Sequence, residues 1–190
     1  MAKNILVLTG SPRRGGNTDK LAEAFMTGAR QAGHKVTIYA TANKTIKGCI
    51  DCKRCFQKGQ ACSIPDDFSE LAPLLEQADM LVLATPMYWF SFPVQLKAAI
   101  DKFYAFLIGG KEWKIKECAL LVSGGDADEA KFAGIVASYK LIAEYLHWQD
   151  RGVVIVPGLH DKEDVLKTDG LIRAEALGKS ISGEEKSLSR

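Results

Sequence analysis

Stretches of apolar residues too continuous to face water on either side recur along this chain, separated by helix-like segments. That alternation limits the fold more than any other feature. The runs cover residues 4–9 (NILVLT), 35–39, 80–85, 117–123 and 152–157. Four of the five are near-continuous, the pattern of strands covered on both faces. Helices are expected at 18–31, 67–77, 93–107, 130–146 and 169–181. The order βαβαβαβαβα predicts one parallel sheet with right-handed crossovers and helices on both faces, a doubly wound α/β domain.

Local signals mark several boundaries. The side-chain oxygen of Asn17 or Thr18 is placed to cap the first helix, and Ala32-Gly33 closes it with a residue that tolerates left-handed geometry. Pro93 suits the first turn of the third helix, where its missing N–H is no loss. With 190 residues, the chain suits a single domain, expected over 1–182, followed by a polar tail at 183–190. Only residues 41–65 lack periodicity, and a loop of that length inside a compact domain usually has a function.

The net charge of +2 gives no polybasic footprint for nucleic acid or a membrane surface. The first apolar run ends in Gly-Ser-Pro-Arg-Arg without a small-residue cleavage site, so a cytoplasmic location is expected. In a reducing compartment, clustered cysteines read as metal-binding or redox-active before they read as a disulfide framework.

Two loops carry ligand chemistry. Residues 9–18 (TGSPRRGGNT) join the first strand to the first helix, where unpaired helical N–H groups suit a phosphate. A Walker A loop would end in Gly-Lys-Ser/Thr, but Gly16 is followed by Asn17, and the G-x-G-x-x-G fingerprint is absent too. Ser11, Arg13, Asn17 and Thr18 instead offer the donors a terminal monophosphate takes. The second loop, 85–93 (TPMYWFSFP), holds three consecutive aromatics directly after Met87, and Phe92 beyond them, where loops are normally polar. A flat tricyclic isoalloxazine would satisfy it; packing under the helix at Pro93 and a subunit contact are the other readings.

These segments, LTGSPRRGGNT, ATPMYWFSFPVQLKAAIDKFY and LLVSGGD, resemble the three FMN loops of the NADPH-dependent FMN reductase family in the flavodoxin-like superfamily. The cysteine run followed by SIPDD is similar to the iron-sulfur flavoprotein group within it. The resemblance implies a flavodoxin-like five-stranded sheet in the order 2-1-3-4-5. It also implies an NAD(P)H oxidoreductase that passes electrons from bound FMN to a quinone, nitroaromatic, flavin or other small acceptor. By position, Ser11, Arg13, Gly16, Asn17 and Thr18 would hold the phosphate. Pro86, Met87, Tyr88, Trp89 and Phe90 would lie along the ribityl and ring, and Ser123, Gly124 and Gly125 would border it. Homodimers or homotetramers are implied, with a neighbouring subunit often covering part of the flavin. No catalytic side chain is required, because the flavin carries the chemistry.

Cys49, Cys52, Cys55 and Cys62 form C-x₂-C-x₂-C-x₆-C, whose first three members resemble the opening of a ferredoxin run. A [4Fe–4S] centre, a tetrahedral zinc and free thiols without metal all remain open for them. Cys118, alone at the start of a strand, reads as a small buried hydrophobe. A rival reading is an electron carrier between proteins, against which the charge of +2 argues, since such carriers tend to be acidic.

Overall fold

The computed structural model describes residues 1–182; the tail expected at 183–190 lies outside the described residues. Five parallel strands, β1 (Asn4–Thr9), β2 (Lys35–Ala40), β3 (Met80–Pro86), β4 (Glu117–Ser123) and β5 (Gln149–Val156), form one sheet in the order 2-1-3-4-5. Six α-helices, with three short 3-10 turns, accompany the sheet among the described residues: α1 (Asn17–Gln31), α2 (Phe68–Gln77), α3 (Val94–Asp101), α4 (Tyr104–Ile108), α5 (Ala133–Tyr145) and α6 (Gly170–Ser180).

The apolar runs divide between two cores by the two-residue period of a strand. Leu6, Leu8, Leu81, Leu83, Leu120 and Val122 point to the face covered by α2, α3 and α5. Their neighbours Ile5, Val7, Met80, Val82 and Leu121 point to the opposite face, under α1 and α6. Central strands therefore show no polar alternation, as the sequence predicts. The edge strand β2 buries only Tyr39 fully, which is why its run is the least continuous.

Three boundaries differ from expectation. The helix expected at 93–107 is two, because the chain tightens to i→i+3 bonds around Lys102 and Phe103. There the Lys102 ammonium is directed onto Asp66, while Phe103 and Phe106 pack on Trp113. β5 begins at Gln149, earlier than its apolar run, because the polar Gln149 and Asp150 already pair with Glu117 and Cys118 of β4 at the sheet edge. Gly16, not Asn17 or Thr18, occupies the N-cap of α1, and no side chain caps it.

Candidate functional site

The carboxyl ends of β1, β3 and β4 open into a cleft of about 250 Å³ at the point where chain direction across the sheet reverses. Ligands of open α/β sheets bind at such switch points. The loop after β1 contributes Ser11, Arg13, Asn17 and Thr18, the one after β3 contributes Pro86, Met87 and Tyr88, and the one after β4 contributes Ser123, Gly124 and Gly125. Three segments predicted separately from sequence thus meet on one cavity. Gly16, Trp89 and Phe90 do not line it.

Not every predicted donor is free to bind. Asn17 donates its amide N–H to the Asp161 carbonyl (2.7 Å), and its amide oxygen accepts from Val165 N (3.2 Å). Arg13 donates Nη1 to the His160 carbonyl at 3.1 Å, leaving its other guanidinium N–H groups. Ser11 Oγ accepts from Arg13 N (3.2 Å), and the hydroxyls of Thr18 and Ser123 lie 3.1 Å apart. Asp19 takes the N–H of left-handed Gly15 at 2.7 Å and so fixes the turn ahead of α1. The first N–H groups of α1 have no intrahelical acceptor and face this end of the cleft, as an anion requires.

Tyr88 and Ser91 exchange two backbone hydrogen bonds of 3.0 Å, closing a two-residue turn over Trp89 and Phe90. Both central residues have positive φ, 46° and 64°. Asn-Gly would adopt that turn without strain; for large aromatics left-handed backbone costs roughly 1–2 kcal/mol each. The Phe90 carbonyl sits so close to Gly134 that a Cβ there would come within 2.8 Å of it. The turn thus rests on the start of α5 and presents Trp89 at 94% exposure, beside the cleft rather than inside it.

Of a fourth wall, the sequence places only His160 near the ligand edge, and there as a surface or packing residue. Leu159, His160 and Lys162, from the segment between β5 and α6, also line the cleft. Leu159 N donates to the Gly124 carbonyl (2.9 Å) and Gly158 N to the Asp126 carbonyl (2.8 Å), which ties this segment to the loop after β4. Asp164 organises it by accepting from His160 N (3.0 Å) and Asp161 N (2.7 Å). The Lys167 ammonium, then those N–H groups, hold the Asp164 carboxyl down at about 2. The available signal was positional: these residues follow the last parallel strand at the same sheet edge as the other loops.

The cysteines lie elsewhere, on the loop between β2 and α2. Its base is clasped by two aspartates: Asp67 Oδ2 accepts from Thr45 N (2.7 Å) and Asp66 Oδ2 from Lys47 N (2.9 Å). Asp66 is also ion-paired to Lys102, both side chains being 1% exposed. Burial raises the Asp66 carboxyl, but the Lys102 ammonium and the N–H groups of Lys47 and Phe68 outweigh it and leave the group below its ordinary value. Phe56 pins the far side of the loop, its ring 5.6 Å from that of Phe106 and directly over Gly109.

Cys49, Cys52, Cys55 and Cys62 line one cavity, with Lys102 in its wall. Left-handed backbone at Asp51, Lys53 and Phe56 breaks any regular run between the cysteines. The cavity is only about 10 Å³, and among the described residues no group of three or more His, Cys, Asp or Glu side chains is arranged to hold a metal ion. Four thiols fit a thiolate-ligated centre in kind, while their described arrangement is not that of a closed metal site.

As thiols, the four are unequal. The Ser63 hydroxyl, 3.4 Å away, and then Arg54 lower Cys52 to about 7, whereas burial and the neighbouring thiols raise Cys55. In the metal-free, reduced protein at neutral pH, Cys52 is expected to be alkylated by iodoacetamide several-fold faster than Cys55, because the thiolate is the nucleophile. Peptide mass spectrometry after a short pulse reads the order; equal rates would refute it. Cys118 is buried and accepts from the Tyr139 hydroxyl at 3.2 Å; burial pushes its thiol up to about 11. His34 is a packing residue, accepting Lys3 N at Nδ1 (3.1 Å).

A parallel 2-1-3-4-5 sheet with a switch-point cleft, cationic at one end and bordered by apolar side chains and glycine backbone at the other, defines a flavodoxin-like protein. The profile of the NADPH-dependent FMN reductase family matches residues 3–154. The chain belongs to that family of FMN-dependent NAD(P)H oxidoreductases. It is 25% identical over 188 residues to an iron-sulfur flavoprotein of Methanocaldococcus jannaschii, covering 94% of this chain and 95% of that one. An iron-sulfur flavoprotein of Archaeoglobus fulgidus is 35% identical over 95 residues, 50% of this chain and 43% of the relative's length. A putative NAD(P)H-dependent FMN-containing oxidoreductase of Bacillus subtilis is 28% identical, covering 81% and 84%. Among solved structures, an NAD(P)H:quinone oxidoreductase from Methanothermobacter marburgensis superposes with a TM-score of 0.76 at 21% identity, over 98% and 99% of the two chains. Among the described residues no helix is long and apolar enough to cross a membrane.

Proposed function

We propose that this chain takes electrons from NAD(P)H onto bound FMN and delivers them to a small acceptor such as a quinone, nitroaromatic or free flavin. The observation that carries the reading is the convergence of the loops after β1, β3 and β4 on one cleft whose two ends differ in kind. Arg13, the Ser11 and Thr18 hydroxyls and the start of α1 would hold the phosphate. Pro86, Met87 and Tyr88 would pack along the ring, and Gly124 and Gly125 would let backbone approach its edge. Asn17, its amide engaged in both directions, would act by fixing the loops to each other.

FMN supplies the redox chemistry: it accepts a hydride and releases two electrons together or singly. The protein's part is to bind it, to keep its ring edge reachable and to leave a surface for acceptor or a second copy of the chain. Trp89, held outward by its strained turn, suits that surface.

A second reading adds an iron-sulfur centre at Cys49, Cys52, Cys55 and Cys62. It is favoured by the four thiols sharing one cavity and by the relatives named iron-sulfur flavoproteins. Such a centre would supply one-electron transfer. Anaerobic stopped-flow mixing of the FMN-loaded protein with NADPH tests the main reading: the flavin band is expected to bleach rapidly and to return on adding a quinone. A flavin that stays oxidised until a reduced partner protein is added would overturn it in favour of an electron carrier. Iron analysis and the visible spectrum of anaerobically purified protein decide the second reading.

A further inference from the structure

The geometry points to Lys162 as a phosphate-binding residue supplied from outside the loop after β1, so that the segment between β5 and α6 closes over the phosphate as a clasp. The inference rests on the FMN reading above and deepens it. A bound monophosphate brings close to two negative charges at neutral pH, and donors that are themselves charged make the strongest hydrogen bonds to it. The loop after β1 is short of them. Of its two arginines only Arg13 lines the cleft, one of its N–H groups is committed to the His160 carbonyl, and Asn17, which is uncharged, has one amide N–H and its amide oxygen engaged by Asp161 and Val165.

Those same bonds bring a second cation to the place. Arg13 and Asn17 grip the backbone of residues 160, 161 and 165, and Lys162 lies between these grips. Its ammonium is 3.7 Å from where a Cβ on Gly15 would sit, which puts it against the turn that precedes α1. Lys162 lines the cleft and, among the described residues, takes part in no ion pair, whereas nearby Lys20 and Lys167 are paired with Glu163 and Asp164. An unpaired ammonium facing a helix N-terminus has like partial charge opposite it, an arrangement that an anion between them relieves.

The test compares flavins with and without the phosphate. Quenching of flavin fluorescence is titrated with FMN and with riboflavin for the wild type, Lys162→Ala and Lys162→Arg. Lys162→Ala is expected to raise the Kd for FMN about ten-fold or more, to leave that for riboflavin within about two-fold, and Lys162→Arg to restore most of the loss. Equal weakening of both flavins, or an unchanged FMN Kd, would overturn the clasp and leave the functional reading intact. A wild-type protein that binds no FMN would overturn both. Lys162 is exposed, so the variant's unchanged melting temperature serves as the check on folding.

Discussion

Lys102→Ala is expected to cost the fold about 3–5 kcal/mol at pH 7, because it leaves the Asp66 carboxylate buried without its counter-charge. The ion pair links the end of α3 to the base of the cysteine loop, beside the apolar contact that Phe56 makes with Phe106. Asp66 also accepts the N–H groups of Lys47 (2.9 Å) and Phe68 (3.0 Å), so a displaced carboxylate would release the loop and the first turn of α2 together. The pH dependence has a definite sign. The Asp66 carboxyl lies below its ordinary value of 3.8 in the folded protein. Its contribution is therefore complete above 3.8 and lost as the pH falls through the lowered folded value. Wild type and variant should converge at acid pH, where the carboxyl is protonated and Lys102 has no charge to pair with. Urea unfolding at pH 7 and at successively lower pH below 3.8 checks both points. A difference below about 1 kcal/mol at pH 7, or one indifferent to pH, would show that the pair is not a support of the loop.

Much of this architecture was legible because strand burial writes itself into composition. Residues 4–9, 80–85 and 117–123 alternate between two apolar cores, so the sequence shows them as unbroken apolar runs, and the parallel order follows. The three loops that line the cleft were legible for a related reason: each follows such a run at the same sheet edge. What escaped was whatever depends on contacts distant in sequence. Lys102 looks like an ordinary helix-surface lysine until Asp66 is placed beneath it. Asn17 reads from sequence as a phosphate donor, and its bonds to residues 161 and 165 add a tie between loops that no local pattern announces. Lys162 sits in a run of charged residues, HDKED, that gives no periodic signal, and bonds between residues far apart in sequence, from Arg13 to His160 and from Asn17 to residues 161 and 165, bring it to the cleft. Phe56, read simply as part of a cysteine motif, is the anchor that holds the motif on α4.

The second large effect is expected where two helices touch through their backbones. A Cβ on Gly28 of α1 would come within 2.1 Å of the Glu175 carbonyl oxygen in α6, and one on Gly178 within 2.2 Å of the Phe25 carbonyl oxygen. Neither atom belongs to a side chain that could swing away, so a residue larger than glycine must push the helices apart. Gly28→Leu should therefore destabilise by about 3 kcal/mol, at the upper end for overpacking. Gly28→Ala and Gly178→Ala should each cost less. Because either one already separates the helices, their effects should fall short of adding by about 1 kcal/mol in a double-mutant cycle. Strict additivity would mean the two contacts are independent and the close approach is not shared. The damage should also travel. α6 is the continuation of the segment that carries Lys162, and that segment is held to α1 by Asn17. Forcing α6 outward should weaken FMN more than riboflavin, in the same sense as Lys162→Ala, although Gly28 contributes no atom to the cleft.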